Sequence, residues 1–375
     1  MNVGLVIYGA LDTRTGGYRY DREMAAALER RGHRVTVIRL PAVPYLLRPA
    51  LNRRAAVATA DGLDLLIQDE LCHPSLIRPN RLRRCGDPPV VTVVHQVLCD
   101  EPRAAWQNRL LRVAEKRYLD GVDAFIFNSR GTRDTVWRLT PPDRPHVVAP
   151  PGGDGLAEGM PDAAIAARAR RPGPLRLLFL GNLIPRKGLL PLIGALGKLP
   201  RGDWILRVAG RLDMDRRHVR KVRRMLRDRD LADRVHLLGW REGADLAAEL
   251  AEAQVFCMPY AYEGFGMATL EAQGFGLPVI GCRQGATPEL VEDGENGFLV
   301  SRGDQDTLVR TVRLLQADRA RLAAMGRSAR RRFGRHPTWA ESMGRLASFL
   351  EDLARPGNAD PGDRGGPTRA GRADT

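Results

Sequence analysis

Cysteine is scarce and unpatterned in this 375-residue chain: Cys72, Cys85, Cys99, Cys257 and Cys282 are odd in number and never spaced C-x-x-C. That spacing excludes a disulfide framework and a thiolate zinc site. The seven histidines are equally dispersed, without an H-E-x-x-H pair. No apolar run reaches the about 18 residues that a membrane-spanning helix needs. The opening segment 1–7 lacks the basic start and long apolar core of a secretory leader and reads as a first strand. The protein is therefore expected in the cytoplasm, with reduced structural thiols. Lysine is nearly missing too: Lys116, Lys187, Lys198 and Lys221 stand among 59 basic residues, the other 55 being arginine. The formal charge of +15 suits an anionic partner, such as a phosphorylated donor, an anionic membrane surface or nucleic acid. Arginine-rich coding composition accounts for it equally well. No zinc-finger, RNA-recognition or helix-turn-helix pattern accompanies the arginines, which are spread over many helices, so nucleic acid is not expected as a partner.

What is present is an α/β rhythm. At this length two domains are expected, and short β-branched runs alternate with amphipathic helical stretches almost throughout. In the first half, strands are predicted at 3–8, 35–40, 63–68, 90–95, 124–128 and 146–149. A glycine-rich loop, 9–17, leads into a helix over 18–31, and a second helix spans 106–119. The pattern lapses into Ala, Arg, Pro and Gly over 163–174, read as a linker. It restarts with strands at 175–180, 205–209, 235–238, 255–258 and 278–281. The expected fold is α/β, with two Rossmann-like doubly wound domains facing across a cleft. The N-terminal domain is placed at 1–170 and the C-terminal domain at 171–336. A terminal helix at 337–355 is expected to pack back on the first domain, and a disordered tail covers 356–375.

The densest chemical cluster is Pro259-Tyr260-Ala261-Tyr262-Glu263-Gly264-Phe265-Gly266-Met267-Ala268-Thr269-Leu270-Glu271. It follows a buried-looking strand and opens a helix. Free backbone N–H groups around Gly264, Phe265, Gly266 and Met267 are suited to phosphate oxygens, helped by the helix dipole. Glu263 before the helix and Glu271 inside it place carboxylates at both ends of such a phosphate, able to accept from sugar hydroxyls. An isolated E-x7-E of this kind is more often an acidic helix start, so the surrounding glycines carry the inference.

Those residues resemble glycosyltransferase family 4, whose fold is called GT-B, and the resemblance covers about 1–350. It extends to Gly181-Asn182-Leu183-Ile184-Pro185-Arg186-Lys187-Gly188, to Gly285-Ala286-Thr287-Pro288-Glu289 and to Asn296-Gly297-Phe298-Leu299-Val300. In the first half, Thr15-Gly16-Gly17 and His95 fall where the family has a glycine-rich loop and an active-site histidine. The resemblance implies a retaining, metal-independent enzyme that moves a sugar from a nucleotide diphosphate donor to an acceptor that no motif names. Attack comes from the front face, with the leaving phosphate as base. Lys187 and Arg186 would neutralise the diphosphate, and Glu271 would bind ribose. Glu263 would contact the donor sugar, and Gly16 and Gly17 would let backbone approach it. His95 would hydrogen-bond the sugar or guide the acceptor; the alternative is a satisfied structural histidine. Asn182 departs from the Arg or Ser that many relatives carry there, and it is given a supporting role. Glu289 either caps its own helix or touches ligand. Gly239-Trp240-Arg241 is expected beside the nucleotide base.

Rival readings are weighed on the same residues. A dinucleotide dehydrogenase needs G-x-G-x-x-G, which the opening loop Gly9-Ala10-Leu11-Asp12 does not supply. A GT-B sugar phosphorylase or a nucleotide-sugar epimerase could reuse the phosphate site and stands as the alternative. Three D-x-D matches, Asp213-Met214-Asp215, Asp228-Arg229-Asp230 and Asp304-Gln305-Asp306, read as a helix start, a helix end and a loop, not as metal ligands. Basic amphipathic stretches at 14–34 and 103–117 suggest peripheral contact with an anionic membrane face.

Overall fold

The computed structural model describes residues 1–51, 62–101, 103–155, 160–260 and 262–355. The tail expected at 356–375 lies outside them. Two six-stranded sheets, every strand pairing parallel, form two α/β bodies. The first runs β2-β1-β3-β4-β5-β6, built from β1 (Asn2–Tyr8), β2 (Arg34–Leu40), β3 (Leu65–Asp69), β4 (Val90–Val94), β5 (Ala124–Phe127) and β6 (His146–Val148). The second runs β12-β11-β10-β7-β8-β9. Its strands are β7 (Leu175–Leu180), β8 (Trp204–Ala209), β9 (Val235–Gly239), β10 (Val255–Met258), β11 (Val279–Cys282) and β12 (Gly297–Val300). β12 went unpredicted, its four residues having been read only as a motif.

Both orders reverse direction once. In the first sheet β1 pairs with β2 on one side and β3 on the other; in the second β7 lies between β8 and β10. Crossover helices leave to opposite faces at such a point, so the strand ends there open into a crevice. The loops after β1, β7 and β10 empty into these crevices and carry the glycine-rich segments.

Alternation along β1 divides the first domain's core. Val3, Leu5 and Ile7 face one layer, with Tyr20, Met24 and Leu28 of the opening helix, Gly16–Arg30. Val6 and Tyr8 face the other, with Leu76 of helix His73–Arg81 and Tyr118 of helix Ala105–Leu119. The first layer is completed from the far end of the chain. The terminal helix, Trp339–Leu353, places Met343, Leu346, Ala347 and Leu350 into it, all without exposure. A capping box between Thr338 and Glu341 starts that helix.

The stretch 163–174, read as a linker, is corrected by the structure. Helix Asp162–Ala169 occupies it and packs on the second domain, with Ile165 and Arg168 buried. Alanine is the best helix former, so a run poor in large apolar residues still folds when a neighbour supplies the core. Arg168 donates to the carbonyls of Leu250, Ala251, Phe275 and Gly276 at 3.4, 3.3, 2.8 and 2.8 Å. The chain therefore leaves the first domain before residue 160. It returns beside that crossing, where Gly153 N–H donates to Pro337 O at 3.1 Å and Trp339 N–H to Asp154 Oδ1 at 2.6 Å.

Leu346→Ala should therefore destabilise the first domain by about 2–5 kcal/mol, read as a lower unfolding midpoint. An unchanged midpoint would show that the terminal helix does not complete that core.

Candidate functional site

The second domain supplies the anion-binding half. After β7 the chain makes a short turn, Pro185–Lys187, that aims Lys187 back over the strand ends. Its ammonium pairs with the Glu263 carboxylate on the loop after β10. Burial pushes the Lys187 pKa down while Glu263 pulls against it. Arg186 donates to Tyr262 O at 3.3 Å and comes within 3.9 Å of Glu101 in the first domain. Asn182 accepts from Arg211 N–H at 3.3 Å, which ties the loops after β7 and β8 together. Its side chain is thus spent on loop architecture.

The E-G-F-G segment is fixed from both sides. Glu263 O accepts from Ala286 N–H at 3.0 Å, so the Gly285-Ala286 turn holds it from behind. Gly264 O accepts from Ser129 Oγ at 2.6 Å and Thr132 Oγ1 at 2.9 Å, both in the first domain. A Cβ on Gly264 would lie 1.9 Å from His95 O, so only glycine fits. Phe265 is buried against His336. Gly266 turns at φ +100°, open to glycine, and starts helix Met267–Gly274. The N–H groups of Met267 and Ala268 have no hydrogen-bond acceptor among the described residues. Glu271 lies one turn further in, where burial raises its pKa to about 7 against the opposing pull of Arg19, 3.2 Å away on the opening helix.

The first domain supplies the other wall. The opening helix begins two residues earlier than predicted, with Thr15 as its cap, so Gly16 and Gly17 form its first turn. A Cβ on Gly17 would touch the His95 ring at 3.3 Å, and one on Gly16 the Met267 sulfur at 3.2 Å. The structure therefore brings Gly16, Gly17 and His95 against the start of helix Met267–Gly274, with Glu263 and Lys187 on the same loop cluster. His95 follows β4 and donates through Nε2 to Asp21 Oδ1 at 3.0 Å. Asp21 is fully buried, and Asp69 at the end of β3 is buried beside it. Burial alone would lower the His95 pKa; the charge and hydrogen bond of Asp21, with the charge of Asp69, outweigh it and raise it to about 9. His95 is then an imidazolium at neutral pH, with Nδ1–H unpaired among the described residues.

Sequence reasoning missed Asp21, Asp69, Arg19 and the Ser129/Thr132 pair. Asp21 carried a signal: with Met24, Ala25 and Leu28 it occupies the i, i+3, i+4, i+7 stripe that the opening helix buries. A charge on that stripe needs a partner. Glu289 does not cap its own helix. Its carboxylate accepts from Arg130 N–H at 3.1 Å and Gly131 N–H at 2.6 Å, capping helix Arg130–Trp137 of the other domain.

A cleft of about 1060 Å³ continues the site between Thr13 and Arg14 of the first domain and Arg211, Arg216, Arg220, Arg223, Gly239 and Trp240 of the second. Its one carboxylate, Asp213, is paired with Arg211 at 2.8 Å. Arg216, Arg220 and Arg223 share one face of helix Arg216–Asp228 and have no carboxylate partner among the described residues.

The D-x-D segments are committed elsewhere. Asp215 and Asp304 cap helices, accepting from His218 N–H at 2.8 Å and Thr307 N–H at 2.9 Å, so the third segment is a helix start, not a loop. Asp230 pairs with Arg201 at 2.6 Å. Two internal groups, Asp21/Asp69/His95 and Glu70/His73/Glu115, have ligand-type atoms within 4.8 Å of one another. In the second, burial raises Glu70 well above and Glu115 to about 7, and lowers His73 to about 4. Burial thus disfavours the charged form of each of these three groups.

Residues 15–154 match the family described as Glycosyltransferase Family 4, and residues 162–332 match Glycosyl transferases group 1. The chain is 30% identical to the GDP-mannose-dependent alpha-(1-6)-phosphatidylinositol monomannoside mannosyltransferase of Mycolicibacterium smegmatis, over 89% of this chain and 87% of that one. It is 29% identical to the D-inositol 3-phosphate glycosyltransferase of Corynebacterium kroppenstedtii, over 69% of this chain and 59% of that one. Among solved structures, sucrose-phosphate synthase from Thermosynechococcus elongatus superposes with a TM-score of 0.79 at 21% identity, covering 94% and 98% of the two chains. Anabaena HepE with UDP-glucose superposes at 0.73 and 20% identity, covering 94% and 100%.

Asp21→Asn should return the His95 titration from about 9 toward its ordinary 6.5, followed by histidine NMR across pH. The raised value means that this pair stabilises the fold fully below pH 6.5 and that the contribution is lost as pH rises through about 9. A variant whose His95 still titrates near 9 would remove Asp21 as the cause.

Proposed function

The chain belongs to the family 4 glycosyltransferases of the GT-B fold, and from that premise we propose that it transfers a hexose from a nucleoside diphosphate sugar with retention and without a metal. The observation that carries this reading is the Lys187–Glu263 pair seated beside the unpaired N–H groups that begin helix Met267–Gly274. A donor diphosphate placed there meets Lys187, Arg186 and the helix start together, which supply the positive charge that a divalent ion would otherwise provide. Glu263 exchanges its lysine partner for hydroxyls of the donor sugar. Glu271 accepts from ribose, and the nucleoside runs toward Gly239 and Trp240 in the arginine-lined cleft.

In the transfer step the acceptor oxygen forms its bond to the anomeric carbon on the face from which the phosphate departs. The bond from that carbon to the phosphate oxygen breaks, and the acceptor proton passes to the departing phosphate. Charge grows on the diphosphate as this happens, so Lys187, Arg186 and the helix N–H groups act most strongly in the transition state. The His95 imidazolium, held by Asp21, offers Nδ1–H to a sugar or phosphate oxygen on the opposite wall. GDP-mannose is the first donor to test, since the printed function of the Mycolicibacterium relative includes it. A phosphorylated cyclitol or its lipid is the corresponding acceptor class, taken from the same relatives. The phosphorylase and epimerase alternatives gain no observation here.

The test is a thermal-shift screen of nucleoside diphosphates and their sugar conjugates without added metal, followed by turnover assays. The expected result is a donor-specific rise in melting temperature, lost in Lys187→Ala. Lys187→Ala and Glu263→Ala should each lower kcat by about a hundredfold or more. Glu271→Ala should weaken nucleotide affinity about tenfold or more. Chelator should leave the rate unchanged. Wild-type turnover in Lys187→Ala or Glu263→Ala, or a strict metal requirement, would overturn the proposed site.

A further inference from the structure

Of the two internal groups of ligand-type side chains, Glu70, His73 and Glu115 form the one that is wholly buried, and the transfer chemistry uses none of them. They come from two elements. Glu70 begins the short turn Glu70–Cys72 that follows β3, and His73 begins helix His73–Arg81 directly after it. Spaced i and i+3 along a continuous helical path, the two side chains share one face. Helix Ala105–Leu119 packs on that helix and adds Glu115. Ligating atoms from all three lie within 4.8 Å of one another. A Glu-x-x-His pair on one helix, met by a glutamate from a neighbouring helix, is the donor set from which carboxylate metal centres in helix bundles are built.

Two of the three side chains are aimed from behind. His73 Nε2 meets the Tyr45 hydroxyl at 2.6 Å, which turns Nδ1 toward Glu70, 3.1 Å from its Oε1 and 3.1 Å from its carbonyl. Glu115 accepts from Leu98 N–H at 2.5 Å through Oε1 and from Cys99 N–H at 3.0 Å through Oε2, and each oxygen keeps a further lone pair. Outer partners of this kind fix ring and carboxylate orientation in metal sites. Glu70 is the exception. Both of its carboxylate oxygens are buried, and neither makes a hydrogen bond. A buried carboxylate left in that state calls for a cause, and a bound ion is one.

Charge narrows the ligand. No lysine or arginine among the described residues pairs with Glu70 or Glu115. Two buried carboxylates this close do not both ionise without a counter-charge; alone, they hold a proton between them. A divalent cation takes the place of that proton and leaves the site neutral overall, with two carboxylates and one uncharged imidazole around a charge of about +2. Burial keeps the His73 ring uncharged, which leaves a nitrogen lone pair to donate. One imidazole nitrogen with two carboxylates suits zinc, manganese, iron(II) or cobalt(II). Magnesium and calcium prefer oxygen ligands alone and keep more of their water.

We propose that Glu70, His73 and Glu115 bind one first-row divalent transition-metal ion inside the first domain, as a structural clamp apart from the transfer chemistry. The clamp joins the end of β3 to helix Ala105–Leu119 and, through Glu115, holds the turn Leu98–Asp100. The next residue, Glu101, accepts from Gln96 Nε2 at 2.6 Å and stands 3.9 Å from Arg186, so the clamped turn leads into the wall of the site. The ion steadies that wall and touches neither donor nor acceptor. This goes beyond the transferase reading, and its readout needs no turnover.

The test is expression of the full, untagged chain in minimal medium supplemented with cobalt(II), followed by elemental analysis and visible absorption of the purified protein. Wild type is expected to carry about one cobalt per chain, with the bands of a nitrogen- and oxygen-ligated ion that fade as zinc displaces it. Glu70→Gln and His73→Gln, which change the donor atoms at nearly constant size, should each lower the metal content about tenfold or more. Tyr45→Phe keeps a half-buried ring and removes only the hydroxyl behind His73, so it should weaken cobalt binding about tenfold. It carries the test if a ligand variant does not fold. Asp21→Asn, in the other internal group, should retain the ion. A folded wild type free of cobalt would overturn the proposal and leave the two glutamates sharing a proton. So would wild-type metal content in Glu70→Gln and Tyr45→Phe, or loss of the ion in Asp21→Asn with retention in Glu70→Gln, which would move it to the Asp21 group.

Discussion

One buried carbonyl, that of Gly264, fixes the site. Ser129 and Thr132 donate to it from the start of helix Arg130–Trp137, while the neighbouring Glu263 carbonyl is held by Ala286 from its own domain. Left unpaired, such a group would cost about 1–3 kcal/mol, so the seam forms around it or not at all. Asn128 Nδ2 donates to His95 O at 2.9 Å, and that carbonyl presses on Gly264 closely enough to forbid any side chain. The same few contacts therefore set how far His95 stands from Glu263. Glu289 adds a carboxylate on the N-terminus of helix Arg130–Trp137, the end that the helix dipole makes positive. Apart from Met267, which packs on the first domain's core, and the half-buried Arg19–Glu271 pair, the seam is largely polar, with hydroxyls, one cap and exposed ion pairs such as Arg14–Glu242 at 2.7 Å. Groups of that kind exchange readily with water, so such a seam parts at little cost compared with an apolar one.

The surplus of arginine takes on different meanings in different places. At the turn after β7, Lys187 is half-buried and already paired with Glu263, so any anion binding there would have to compete with an internal carboxylate. Along helix Arg216–Asp228 the guanidiniums line an open cleft without counterions, where they raise the local concentration of any anion. On helix Ala105–Leu119, Arg112 is instead paired with Asp100 at 3.7 Å. The net charge of the chain distinguishes none of these; the neighbours of each cation do.

The fold was largely legible because parallel α/β sheets advertise themselves through β-branched runs separated by helices. The glycine-bearing loops marked where the second domain's part of the candidate site comes together, since His95 O leaves no room for a Cβ at Gly264. What stayed illegible depends on contacts remote in sequence. Helix Asp162–Ala169 was taken for a linker because its stability comes from the second domain's core and from the buried Arg168 fork, not from an apolar stripe of its own. For Glu289 the sequence offered only its own helix or a ligand, because sequence neighbourhood cannot show that another helix start lies 2.6 Å away across the seam. Asp21 sits in a charged helix, and only the fold shows that its stripe is buried.

The two glutamates of the E-x7-E spacing are therefore not equivalent. Glu263 takes its cation from its own domain, so its environment persists however the domains stand. Glu271 takes Arg19 from the other domain, and burial holds its pKa near 7. Parting the seam would withdraw Arg19 and admit water together. Water favours the carboxylate and losing the cation disfavours it, so the charge of Glu271 is set by the balance of two terms that the same motion controls. A carboxylate so placed would register whether the domains are closed on it, whereas the Glu263–Lys187 pair lies within one domain. The sequence places both on one loop and helix, but only the opening helix of the other domain makes them differ.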